Sequence, residues 1–175
     1  MTSFLARGRS GVADDRLHHR SSPSACRRRK PAKRGAHAQG LGRWRGGLST
    51  KIHAAGDALG NPVRLIGSPG QRHDIAFAHE LIDGFVADAT IADKGSDADH
   101  LCDRIAETGS EVVIPPKRNR TVQRPYDADL YTERNIIERF FNRLKQFRRV
   151  ATRYEKTAQN FLAVVTIAAT VLWIR

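Results

Sequence analysis

Residues Tyr131–Lys145, YTERNIIERFFNRLK, are the stretch from which the rest of the chain is read. On an α-helix each residue advances by about 100°. Tyr131, Arg134, Glu138 and Lys145 then fall within roughly 60° of one another. Ile136, Ile137, Phe140, Leu144 and Phe147 fall on the opposite side. One helix is therefore expected, with an apolar face for packing and a narrow stripe of one phenol, one carboxylate and two cations. A carboxylate flanked by cations suits a site that holds a divalent metal and a phosphodiester. The same stripe also suits a helix face that is merely solvated.

The whole chain has 175 residues, enough for one core of ordinary size, and carries 30 Lys+Arg against 18 Asp+Glu, a formal charge of +12. That balance favours a polyanionic partner, DNA or RNA. Basic ribosomal-type proteins share the composition, so charge alone names no function. Cys26 and Cys102 have no metal-type spacing and suggest no disulfide framework. The N-terminus shows no apolar segment of the signal-peptide kind. The apolar run Phe161–Ile174 is shorter than the ~18–20 residues that span a bilayer and is expected as a buried C-terminal helix. A cytoplasmic protein without a membrane partner is the expectation.

Between these ends the text is orderly. Gly42–Gly47, with Arg43 and Arg45, is expected as a flexible basic loop that lies against phosphates or is solvated. Leu48–Ala55 alternates Leu/Thr/Ile/Ala with Ser/Lys/His, a strand with one polar side. Asp57–Asn61 is turn chemistry leading to a second strand, Pro62–Ile66, in a hairpin. Asp74–Asp83 is expected as a helix capped by Asp74 and stopped by Gly84. Asp88–Asp93 is a short strand ending in an acid that serves either as a turn former or as a partner for Glu138. Ser96–Glu107 is a second helix, capped by Ser96 or Asp97, and Glu111–Pro115 a fourth strand. Lys117–Arg124 (KRNRTVQR) is a basic loop whose Lys117, Arg118 and Arg120 are candidates for DNA contact. The last helix is expected over Thr157–Trp173.

The spacing Tyr, two residues, Arg, three residues, Glu, six residues, Lys resembles the signature around the last acid of bacterial insertion-sequence transposases with a DDE triad. The blocks GGLSTKIHAAGDALGNPVRLI, SPGQRHDI, ADKGSDADHL, VVIPPKRNR and ERFFNRLKQFRRVATRYEKTAQNFLAVV look like the insertion-sequence-five family, over about residues 40–175. The resemblance implies an α/β, ribonuclease-H-like mixed sheet with flanking helices. It implies that two Asp and one Glu hold two divalent ions, normally Mg²⁺, with Asp93 and Glu138 as ligands here. Arg134 and Lys145 would hold phosphates and Tyr131 would position DNA. The partner would be double-stranded DNA, with a homo-oligomer possible, and the activity DNA cleavage and strand transfer. Trp44 and Ser96 depart from the family pattern, the latter where an aromatic is usual, so a looser turn after Asp93 is expected.

Residues 1–39 show no sustained periodicity and read as a disordered basic arm ahead of a domain at 40–175. The family's first Asp belongs here, in text such as Ile-Asp-Ser-Thr-Ile-Val-Arg, which is absent. Back-translated with free codon choice and read one base later, Gly11–Arg29 permits EWLMIDSTIVRPHQHAAAG, very close to that text. The start of the chain is thus expected to be out of frame, with the first catalytic strand missing or scrambled and the copy impaired. The upstream region that such proteins use to recognise element ends is also expected to be absent. The competing expectation is a non-catalytic DNA-binding remnant.

Overall fold

The turn Asp57–Asn61 reverses the chain between two strands that pair with each other, β4 (Gly47–Asp57) and β5 (Pro62–Pro69). Asp57 builds the turn: its carboxylate accepts the N–H of Leu59 at 3.0 Å, the N–H of Asn61 at 2.8 Å and Asn61 Nδ2 at 2.9 Å. Gly60 adopts φ +85°, where an L side chain is strained, and a Cβ there would stand 2.6 Å from Ile136 Cγ2. The expected hairpin is present, and Asp57 is structural.

The computed structural model describes residues 2–4, 10–18, 40–44 and 47–174. Five further strands complete a seven-stranded sheet: β1 (Thr2–Phe4), β2 (Ser10–His18), β3 (Gly42–Trp44), β6 (Ala89–Ala92) and β7 (Glu111–Val113). The order is β1-β4-β2-β6-β7, with β3 and β5 also paired to β4. β1 runs parallel to β4, β2 parallel to β6 with Ser10 opposite Thr90, and β6 parallel to β7 with Ile91 opposite Val113. β6 is buried along its whole length, as a strand with parallel neighbours on both edges should be.

Three expectations change here. The segment expected as a disordered arm contains β1 and β2. Their pairing rests on backbone bonds to a partner edge rather than on side-chain alternation, and the arm's other residues lie outside the described ones. The basic loop Gly42–Gly47 begins as β3, antiparallel to the start of β4, with Gly42 opposite Ser49; Arg45 lies outside the described residues. β4 has no wet side: Ser49, Thr50, Lys51, Ile52, His53, Ala54 and Ala55 are all at most 4% exposed. A central strand can bury these polar groups because they are partnered. Lys51 Nζ donates to Arg72 O at 3.1 Å, and His53 stacks on Phe77 with Nδ1 4.0 Å from Asp74.

The helices are α1 (Ile75–Ile82), α2 (Asp99–Glu107), α3 (Ala128–Thr132), α4 (Asn135–Lys145), α5 (Arg148–Ala151) and α6 (Ala158–Ile174). Tyr131–Lys145 is thus two helices, not one. At the junction the N–H groups of Glu133, Arg134 and Ile136 bond three residues back, to Leu130, Tyr131 and Glu133, at 3.2, 3.1 and 2.9 Å. That is 3-10 geometry, helped by Thr132 Oγ1 donating to Asp129 O at 2.7 Å. The apolar face of α4 is otherwise as expected: Ile137, Phe140 and Leu144 are buried, joined by Phe141.

The contacts gather into two compact units. The first comprises residues 1–14, 53–66 and 73–141. Ala89, Ile91, Val113 and Leu130 form a cluster in it, with Tyr131 packed against them. The second comprises residues 15–52, 67–72 and 142–175. There Arg153, only 2% exposed, donates from Nη1 to Thr50 Oγ1 at 2.6 Å and from Nε to Glu155 O at 3.0 Å. Thr50 Oγ1 in turn donates to Gly40 O at 2.8 Å. Burial lowers the pKa of Arg153, against the pull of Glu155. α6 buries Phe161, Val165, Ala168 and Ala169 but leaves Ile167 and Trp173 exposed, so one face is buried rather than the whole helix. Among the described residues no helix is long and apolar enough to cross a membrane.

Leu144 is fully buried, with 0% exposure. Leu144→Ala is expected to lower unfolding stability by about 2–5 kcal/mol, read as a reduced urea midpoint at unchanged slope.

Candidate active site

β6 carries the chain through the sheet and delivers Asp93 at its end. Asp93 caps a single 3-10 turn, Lys94–Ser96: Oδ1 accepts the Ser96 N–H at 3.1 Å and Ser96 Oγ at 2.9 Å. Oδ2 has no hydrogen-bond partner among the described residues and remains available. Gly95 keeps the space beside the carboxylate clear, since a Cβ there would lie 3.2 Å from Oδ2 and 3.3 Å from Oδ1. Ser96 does not loosen this turn. It is buried, and its hydroxyl tethers the acid.

The second acid comes from the first turn of α4. Arg134 Nη1 lies 2.7 Å from Glu138 Oε1, one helical turn on. The Arg134 guanidinium stands 6.0 Å from the centre of the Tyr131 ring, and its buried Nε has no hydrogen-bond partner. Burial pushes the Tyr131 phenol above its ordinary pKa; the charges of Asp93 and Glu138 add to the rise while Arg134 opposes it. Tyr126 meets Tyr131 edge-on at 5.8 Å and is part-exposed; sequence reading did not single it out, and an aromatic five residues before Tyr131 was the available signal. Lys145 is exposed at the end of α4 and belongs to the second unit, as does Arg43 in β3.

The loop after β7 differs from the open basic loop that was expected. Asp97, whose side chain is 1% exposed, accepts the Lys117 N–H at 2.7 Å and Arg120 Nε at 2.9 and 2.7 Å. Lys117 Nζ donates to Asp97 O at 2.9 Å. Arg120 Nη1 also reaches Asp99 at 2.9 Å, and Arg124 Nη2 pairs with the same carboxylate. Lys117 and Arg120 are therefore turned onto acids of the chain itself, while Arg118 is exposed. Asp97 is not the cap of α2: the N-cap position is Ala98, with no side-chain bond. Burial alone would raise the Asp97 pKa, but the hydrogen bonds from Arg120 and Lys117 and the charges of Arg120 and Arg124 hold it below the usual carboxylate value.

Among the described residues no three His, Cys, Asp or Glu side chains are grouped to hold a metal. Asp93 and Glu138 are nonetheless hard oxygen donors, and Mg²⁺ is commonly held by one or two carboxylates with phosphates and water completing its shell. The donor chemistry fits such an ion.

The family described as "Transposase DDE domain" matches residues 15–173. The chain belongs to the DDE transposase family. A protein of Brucella ovis, named as a candidate transposase for insertion sequence element IS6501, is 39% identical over 132 residues, which is 73% of this chain and all of that protein. No solved structure gives a significant match. The transposase match reaches back into β2, well before residue 40.

In this transposase the Asp97 carboxylate is buried against Arg120. Asp97→Asn would leave Arg120 with the exposed Asp99 as its remaining carboxylate partner among the described residues and is expected to lower the urea midpoint at pH 7. A lowered folded-state pKa means that the stabilisation is present above the unfolded value of about 3.9 and is lost as pH falls through the lower folded value. The wild type should therefore lose stability in acid below about pH 4 more steeply than Asp97→Asn.

Proposed function

We propose that this transposase cleaves and joins DNA at a divalent-metal site built on Asp93 and Glu138, set in a ribonuclease-H-like sheet. The observation that carries the reading is the DDE transposase match over residues 15–173, within which Asp93 follows β6 and Glu138 pairs with Arg134 on α4. The strand order β1-β4-β2-β6-β7, with β5 also paired to β4 and β2, β6 and β7 parallel, is compatible with that fold. In that arrangement the acids arise at the end of an inner strand and on a helix that follows the sheet.

Bound Mg²⁺ would polarise the scissile phosphate and lower the pKa of an attacking water or 3′-hydroxyl. The chain's own residues supply the rest. Asp93 Oδ2 faces the site while Oδ1 is fixed by Ser96, so the acid is held in one orientation. Arg134 holds Glu138 and, being part-exposed, would also meet a phosphate oxygen. Tyr131 positions the DNA strand against this pair. Lys145, Arg118 and Arg43 are further candidates for phosphate contact, and the net charge of +12 favours a DNA partner. A cytoplasmic location and assembly of copies on the two element ends belong to the same proposal.

The first acid of the triad separates two readings. Residues 14–16 are Asp-Asp-Arg, and the shifted frame sets the family's Asp at Arg16. On this reading the copy binds DNA but cuts it poorly. A non-catalytic DNA-binding remnant is the second reading, favoured by the lack of a third ligand near Asp93 and Glu138 among the described residues. The nucleotide sequence of codons 4–40 tests the frame, and an Asp-Ser-Thr strand in the +1 frame is expected.

Mg²⁺-dependent nicking of an oligonucleotide bearing the element end measures the activity. With the frame restored, Asp93→Asn and Glu138→Gln are each expected to slow nicking by about 10²-fold or more, the scale of losing one electrostatic catalytic partner. Duplex affinity should stay within about threefold, since neither acid supplies a phosphate contact. Equal nicking with and without the restored frame would overturn the claim of impairment.

A further inference from the structure

The loop expected to contact DNA has its cations paired within the chain, yet the two acids that pair them are unlike each other. Asp97 is 1% exposed and is held by Arg120 and by the Lys117 backbone and side chain. Asp99 is 68% exposed, lies in the first turn of α2, and touches only the outer ends of two guanidinium groups, Arg120 Nη1 and Arg124 Nη2. A buried, multiply bonded carboxylate is an anchor, whereas an exposed ion pair is weak and easily exchanged. Arg124 Nη1 is buried 3.8 Å from Asp97 and has no hydrogen-bond partner among the described residues, so Arg124 is held less firmly than Arg120.

We propose that Arg120 and Arg124 form a binding site for a DNA backbone phosphate, fixed in place by Asp97 and filled by the Asp99 carboxylate when DNA is absent. Two guanidinium groups converging on one carboxylate oxygen present the geometry that a phosphate oxygen takes, and the phosphate brings more charge and more acceptors. On arrival the phosphate replaces Asp99, which turns to solvent without loss because its side chain is already mostly exposed. Asp97 keeps Arg120 aimed. It also stands at the far end of the turn that Asp93 begins, with its N–H bonded to Lys94 O at 3.3 Å. The phosphate site is thereby registered to the acid at the end of β6. Asp99 serves as an electrostatic screen: the basic loop is kept from loose polyanions until a duplex presents a phosphate at the right place.

The inference rests on the DNA-processing reading above, and metal-free duplex binding separates the two. Affinity for a 30-base-pair duplex is measured across a salt series for the wild type, Asp99→Asn, Asp88→Asn, Arg124→Gln and the Asp99→Asn/Arg124→Gln double variant. Asp88 is an exposed acid with no ion pair among the described residues, so its loss changes net charge equally. Asp99→Asn is expected to tighten binding about three- to tenfold, and Asp88→Asn less than about twofold. Arg124→Gln should weaken binding, lower the slope of log affinity against log salt by about one, and abolish the gain from Asp99→Asn. Thermal melting within a few degrees of wild type certifies folding, and Asp99→Ser replaces Asp99→Asn if that variant melts early. Equal effects at positions 88 and 99, or a gain that survives Arg124→Gln, would overturn the screen. Absence of duplex binding by every variant would overturn the parent reading with it.

Discussion

The buried carboxylate of Asp97 is the constraint that much of the first unit depends on. It lies four residues beyond the acid that ends β6 and accepts hydrogen bonds from a segment that follows β7. Two connections that would otherwise be independent are joined at one point. Asp93 has its own cap, but the turn it caps is short and ends at Asp97. A one-turn 3-10 helix holds its shape poorly alone. With Asp97 fixed, both ends of that turn are fixed, and the orientation of the Asp93 carboxylate follows.

Much of this was legible from local chemistry. The Asp57–Asn61 turn announced itself because Asp, Gly and Asn each have a specific backbone use there. The helices α1 and α2 were legible from apolar spacing and terminal glycines, with Gly84 and Gly109 at positive φ where they end. The expectation that Asp93 and Glu138 act as a pair came only from resemblance, since nothing in either local sequence requires the other. Other features were hidden for a common reason: they depend on distant partners. Lys51 and His53 looked like the wet side of a strand because a single strand cannot reveal that its position is central. Lys117 and Arg120 looked free because their acid lies about twenty residues earlier, on a different element. The break between α3 and α4 was hidden because its cause, a side-chain bond from Thr132, leaves the apolar pattern intact.

The site also shows how one residue answers two physical demands. A strand-terminal acid before glycine is ordinarily a cap, and Asp93 is one. The bonds from Ser96 occupy a single oxygen, so capping sets the angle at which the other oxygen is presented. Gly95 completes the arrangement by sterics, since any side chain there would crowd the carboxylate. Tyr131 packs its ring against Ala89, Ile91, Val113 and Leu130, with the Arg134 guanidinium 6.0 Å from the ring centre.

The buried link from Arg153 to Thr50 joins residues 103 positions apart. During synthesis, Thr50 and the Gly40 carbonyl leave the ribosome long before the guanidinium that completes their bonding exists. The second unit therefore closes around Thr50 only after residue 153 has been made, and until then the buried hydroxyl of β4 lacks the guanidinium that donates to it.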